Sequence, residues 1–138
     1  VQYEEKEGFF MRVMIVDDEA PCLSEMVYWL SRYGTVEIVG AFTASASALE
    51  AAQSARPDVF FLDLSMPKMS GAELAKKILA QNPAARIVFV TAYAKELESA
   101  KGIPAFGTIL KPVDGAKLDE LMERLRASPP EPKRDMKA

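Results

Sequence analysis

Five short runs of apolar residues, separated by helical patterns, constrain this chain more than any other feature. Val13-Met14-Ile15-Val16 is the first, followed by Val36 to Ala41, Val59 to Leu62, Ile87 to Val90 and Gly107 to Leu110. A strand with one wet face alternates apolar and polar side chains; a strand covered on both faces does not, and reads as a continuous run. The intervening segments carry helix signals. Pro21 suits a first helical turn, and Leu23, Met26, Val27 and Leu30 follow on one face, with Gly34 expected to end the helix. A second helix, about 44–55, is alanine-rich around Leu49. Ser70-Gly71-Ala72-Glu73 has capping-box spacing ahead of Leu74 and Ile78, and a short, weakly patterned helix is expected over about 95–101. Asp114 can cap the last helix, whose stripe is Leu118, Leu121, Met122 and Leu125. Such an alternation predicts an α/β fold, a (βα)5 doubly wound parallel sheet with helices on both faces.

Ligands of such sheets bind beyond the carboxyl ends of the strands, so the residues standing there matter most. Asp17, Asp18 and Glu19 follow the first run, Asp63 the third, Thr91-Ala92-Tyr93 the fourth and Lys111-Pro112 the fifth. Each has an ordinary explanation. Acids ahead of a helix serve as caps or complement its dipole, a threonine ending a strand caps a turn, and Lys-Pro is commonly a turn with a solvated charge. Asp63 resists that treatment, because a carboxylate abutting Val59-Phe60-Phe61-Leu62 needs a charged or hydrogen-bonding partner. Three acids, a hydroxyl and an ammonium on one rim of one sheet point to a site.

Composition restricts what that site can be. A chain of 138 residues suits one domain. It contains no histidine, which excludes Ser-His-Asp and Cys-His hydrolases, histidine-ligated metals and a phosphohistidine carrier. The single cysteine, Cys22, permits no internal disulfide and suits a reducing compartment, and a buried, packing role is expected for it, as for Met26 and Trp29. A net charge of −3 argues against direct nucleic-acid binding. No apolar run is long enough to span a bilayer, no membrane association is expected, and the location read from these features is cytoplasmic. Residues 1–11 read as an N-terminal extension, with Met11-Arg12 resembling a natural start; 12–127 form the folded unit; and 128–138 are a proline-rich, charged linker or tail.

Taken in order, Val16-Asp17-Asp18-Glu19, the stretch Phe61 to Gly71, Val90-Thr91-Ala92-Tyr93 and Leu110-Lys111-Pro112 resemble the receiver domain of two-component response regulators, over essentially all of 12–127. The resemblance implies a flavodoxin-like sheet in the order 2-1-3-4-5. It implies that Asp63 accepts a phosphoryl group from a histidine kinase, assisted by Thr91 and Lys111. It further implies that Asp17, Asp18, Asp63 and the backbone carbonyl of Ser65 hold Mg²⁺; Glu19 is a candidate for the metal cluster or for the helix dipole. The chain would then be a regulatory domain rather than an enzyme, though one assisting its own phosphorylation and dephosphorylation.

The family's switch tyrosine on strand five is missing here. Thr108 stands in its place, with Phe106 two residues earlier, so Phe106 or Tyr93 must substitute or the output face must be switched differently. The segments around Thr91 and Lys111 resemble receivers of LytTR-type and related transcriptional regulators, implying an output domain, DNA-binding in such proteins, and dimerisation through the fourth and fifth helices. The alternatives are a stand-alone receiver acting by protein docking, separable by coding sequence beyond Ala138, and a haloacid-dehalogenase-like phosphatase. The phosphatase motif is Asp-x-Asp after strand one, and here Glu19 occupies the second acid position.

Overall fold

The computed structural model describes residues 10–128; most of the expected extension 1–11 and tail 128–138 lies outside them. The elements alternate without interruption: β1 (Met11–Val16), α1 (Ala20–Ser31), β2 (Val36–Phe42), α2 (Ser45–Ala55), β3 (Val59–Asp63), α3 (Gly71–Gln81), β4 (Arg86–Thr91), a 3₁₀ helix (Ala94–Ala100), β5 (Gly107–Leu110) and α4 (Gly115–Ala127). The strands form one sheet in the order β2-β1-β3-β4-β5, with every pairing parallel. That is the doubly wound order the resemblance implies.

Strand periodicity divides the core in two. Val13, Ile15, Phe61, Val88 and Val90 face one side and pack with Met26 and Leu30 of α1 and Leu118, Leu121 and Leu125 of α4. Met14, Val16, Phe60, Leu62, Ile87 and Phe89 face the other and pack with Leu74, Ala75 and Ile78 of α3 and Ala48 of α2. Because every residue of β3 is buried, the chain has no room for polar side chains there until its last position, Asp63. The continuous apolar runs and the parallel sheet therefore share one cause.

Three local expectations shift. β1 starts at Met11, ahead of the apolar run: the Met11 side chain is buried and its N–H donates to the Thr35 carbonyl at 2.7 Å. Helix α1 ends at Ser31 rather than running to Gly34, because Tyr33 turns back into the core. The expected fourth helix is a 3₁₀ segment, anchored by Leu97 and Ala100 on the core but lacking an amphipathic stripe. Helices α3 and α4 begin as expected, on Ser70 and Asp114 caps, and the reciprocal Ser70–Glu73 capping box is complete.

Candidate functional site

The register of the sheet brings the polar residues together. Asp63, at the end of β3, pairs with Val90, so Thr91 stands one position further toward the rim on the neighbouring strand, and Thr91 pairs with Leu110, which precedes Lys111. On the other side, Leu62 is opposite Val16, so Asp17 and Asp18 emerge beside Asp63. Carboxylate oxygens of Asp17, Asp18 and Asp63 all lie within 4.8 Å of one another. Asp17 and Asp63 are buried and Asp18 is half-buried.

Lys111 answers this charge. Its Nζ donates to Asp17 Oδ2 at 2.9 Å and lies 3.8 Å from Asp63 Oδ2. The other Asp17 oxygen accepts the Glu19 N–H at 2.9 Å. Burial works against the Lys111 charge, but the bond to Asp17 and the charges of Asp63 and Asp17 outweigh it and raise the ammonium above its usual range. Asp63 is left less satisfied. Burial, then repulsion from Asp17, raises its carboxyl to about 6 against Lys111 and the Ser65 N–H, which hold it down. Three oxygen donors whose mutual repulsion outweighs the nearby lysine form a site suited to a small hard cation.

The loop after Asp63 is tied back tightly. The Gly71 N–H donates to the Leu64 carbonyl at 2.9 Å, and a Cβ on Gly71 would stand 2.0 Å from the Asp63 carbonyl oxygen. Only glycine allows α3 to start against the strand that carries Asp63. Ser45, buried at the start of α2, donates to the Met69 carbonyl at 2.9 Å and holds the far side of the loop. Ser65 itself is exposed.

Thr91 is fully buried, and its hydroxyl donates to the carboxylate of Glu96 in the 3₁₀ segment. Glu96 was not among the residues the sequence singles out; nothing in a short, unpatterned helix marks it. It lines an open groove of about 430 Å³ between the loop after β3, at Ser65 and Met66, and the 3₁₀ segment, at Lys95 and Ser99. Cys22 departs from the packing role expected of it: it is half-buried, and its thiol donates to Glu19 Oε1 at 3.4 Å. Burial raises that thiol, opposed by Lys111. Glu19 occupies the N-cap position of α1 without a side-chain cap bond, and is exposed.

The model of the response regulator receiver domain matches residues 13–126. This chain belongs to that family. An uncharacterised response regulatory protein of Yersinia pestis is 39% identical over 117 residues, covering 83% of this chain and 48% of that protein. The transcriptional regulatory protein BtsR of Escherichia coli is 36% identical over 118 residues, covering 84% and 48%. Among solved structures, the response regulatory domain of mrkE from Klebsiella pneumoniae superposes with a TM-score of 0.78 at 30% identity, covering 86% of this chain and 97% of that one. The isolated receiver domain of RcsB from Salmonella enterica, solved with phosphomimetic BeF3−, gives 0.79 at 25% identity, covering 88% and 91%. The receiver thus spans about half the length of the curated relatives it matches. These neighbours point to a regulatory rather than a catalytic role, and no helix among the described residues is long and apolar enough to cross a membrane.

At the position of the family's switch tyrosine, Thr108 is exposed on β5. The two nearby aromatics are placed differently. Tyr93 already points outward, at 60% exposed, and Phe106 lies between the guanidinium groups of Arg86 and Arg124, at 5.4 and 5.0 Å from its centroid.

Proposed function

We propose that this receiver accepts a phosphoryl group on Asp63 from the phosphohistidine of a histidine kinase and thereby controls an output domain. The observation that carries the reading is Asp63 itself: a buried carboxylate at a strand end, beside two more acids and 3.8 Å from the Lys111 ammonium. An Asp63 oxygen attacks phosphorus; the P–O bond forms as the P–N bond of the phosphohistidine breaks, and the imidazole leaves with the electron pair and takes a proton from water. The product is an aspartyl phosphate. The protein contributes positioning and charge rather than further covalent steps.

Asp17, Asp18 and Asp63, with the Ser65 carbonyl, are the groups that would hold Mg²⁺, and the oxygen-only donor set fits it. When bound, the ion supplies positive charge against both the carboxylates and the phosphoryl oxygens. Lys111 moves from Asp17 to a phosphoryl oxygen, a point charge on a flexible stem. Ala92, exposed and small, leaves the approach open, and the Thr91 hydroxyl donates to another phosphoryl oxygen.

The half of the relatives' length lying outside this chain, and the transcriptional name that BtsR carries, support an output domain acting in transcription, of LytTR or related type. A histidine-kinase donor places this work in the cytoplasm. Dimerisation between receivers belongs to the same reading. Intact mass after incubation with acetyl phosphate and Mg²⁺ tests it: the wild type gains one phosphoryl group and Asp63→Ala gains none. A wild type that stays unmodified overturns the proposal and leaves a receiver that signals without phosphorylation.

A further inference from the structure

Thr91 has one hydroxyl proton; its near acceptor is the Glu96 carboxylate, with the Tyr93 carbonyl further off at 3.5 Å, while the hydroxyl oxygen accepts the Tyr93 N–H at 3.4 Å. Among the described residues this is the one side-chain hydrogen bond joining the 3₁₀ segment to the rest of the protein; the segment's other side-chain bond, Ser99 to the Glu96 carbonyl, is internal. Backbone bonds from the Glu96, Lys101 and Ile103 N–H groups close successive turns, and Leu97, Ala100 and Ile103 rest on the core. The tip carrying Lys95, Glu96 and Ser99 faces the groove beside Ser65 and Met66.

We propose that Glu96 is a positioning residue that latches Thr91 in the unphosphorylated state, and that phosphorylation of Asp63 releases it together with residues 94–100. This inference rests on the reading of Asp63 as the phosphoacceptor. A phosphoryl group adds about −1.5 to −2 charges within reach of β4. The Thr91 hydroxyl cannot donate to that group and to Glu96 at once. When it turns to the phosphoryl oxygens, Glu96 loses its donor and keeps its negative charge near a new anion, with the groove open for it to leave into. The 3₁₀ segment then retains only its apolar anchors. In a domain whose strand-five aromatic is replaced by Thr108, this bond gives the site a route to the surface that does not pass through β5. Binding at Asp63 is correspondingly weakened by the fraction of molecules held in the latched form.

Calorimetric titration with beryllofluoride and Mg²⁺, combined with amide exchange, tests this on the wild type, Glu96→Ala, Glu96→Gln, Thr91→Val and the Glu96→Ala/Thr91→Val double variant, each checked first for its thermal transition. Glu96→Ala is expected to bind about tenfold more tightly than wild type, since a competing acceptor is gone. Glu96→Gln keeps a neutral acceptor and is expected to fall between them; it carries the same comparison should the alanine variant fail to fold. On a Thr91→Val background the gain disappears. In the wild type, exchange across 94–100 accelerates on binding, whereas Glu96→Ala is already fast there when free. Equal affinities for wild type and Glu96→Ala overturn the latch, as does a gain that persists without the threonine, which would be a charge effect alone. Unchanged exchange over 94–100 overturns it too. A wild type that binds no beryllofluoride instead sinks the phosphoacceptor reading, and the latch falls with it.

Discussion

The two flanks of Asp63 hold their loops by different means. On the α3 side, the chain leaving β3 is clamped by a glycine packed against backbone, by a reciprocal capping box and by Ser45 reaching across from α2. On the β4 side, the chain leaving Thr91 enters a 3₁₀ helix with no side-chain cap, few apolar anchors and one polar tie. The first arrangement fixes the Asp63 carboxylate; the second leaves the neighbouring segment with little to lose on moving. Local stability is distributed unevenly in most domains, and segments that respond to a ligand come from its lower end.

The largest test of this contrast is a single methyl group placed on each flank. Gly71→Ala puts its Cβ 2.0 Å from the Asp63 carbonyl oxygen and 2.8 Å from Leu64 Cα, both backbone atoms that cannot swing away. A loss of roughly 3 kcal/mol or more is expected in urea unfolding, at the upper end of overpacking costs. Gly102, after the 3₁₀ segment, has φ +87° and open space around its absent Cβ, so Gly102→Ala should cost only about 1 kcal/mol of left-handed backbone strain. Equal losses at the two sites would remove the distinction between a clamped and a loose flank.

A smaller effect concerns the carboxylate that the rigid flank holds. Folding raises the Asp63 carboxyl from its ordinary 3.8 to about 6, chiefly by burial and then by Asp17. The folded state therefore binds the proton more tightly than the unfolded chain, and stability falls as pH rises from about 4 through 6. Without divalent metal, Asp63→Asn should be more stable than wild type at pH 7.5 by on the order of 2 kcal/mol. The advantage should shrink as pH falls through 6 and vanish below 4. Millimolar Mg²⁺ should stabilise the wild type and close most of the gap at pH 7.5. Thermal unfolding across pH, with and without Mg²⁺, measures all three, and a pH-independent difference would mean that Asp63 is not the strained charge.

The rigid flank was also the readable one. Ser70 and Glu73 announce their capping box by spacing alone, β3 announces its burial by composition, and Asp63 stands out because a charge ends that run. These are interactions between neighbours in sequence, or between one strand and its surroundings as a whole. What could not be read depends on long-range approach. Lys111 is 94 residues from the Asp17 it binds, and nothing in the sequence pairs the two. Gly71 reads only as one residue of a capping box, and its necessity lies in how close α3 comes to the end of β3. The sequence assigns Met11 to the extension, and only its bond to the Thr35 carbonyl makes it strand. The 3₁₀ segment lacked periodicity because its tie to the site is one polar bond, and a single glutamate in a charged stretch leaves no pattern.

The smallest effect comes from the helix starts themselves. Ser70 accepts the Glu73 N–H at 3.1 Å while Glu73 accepts the Ser70 N–H at 3.0 Å, so Ser70→Ala leaves the Glu73 N–H without its partner while the backbone N–H at position 70 keeps its own. A loss of about 1 kcal/mol is expected, the usual cost of removing a hydroxyl cap. Tyr93 occupies the equivalent position before the 3₁₀ segment, makes no side-chain cap and is exposed, so Tyr93→Ala should change stability by less than about 0.5 kcal/mol. The two variants also separate stability from response. Ser70→Ala weakens the mount of the loop after Asp63 and should lower amide protection near Ser65 to Gly71, speeding exchange there, without touching residues 94–100. Tyr93→Ala should leave both protections as they are, because the bonds Tyr93 makes on that flank are backbone bonds and its side chain supplies no cap. A Tyr93 variant that loosened 94–100 as much as Glu96→Ala does would shift the weight of that flank from one polar bond to an aromatic surface.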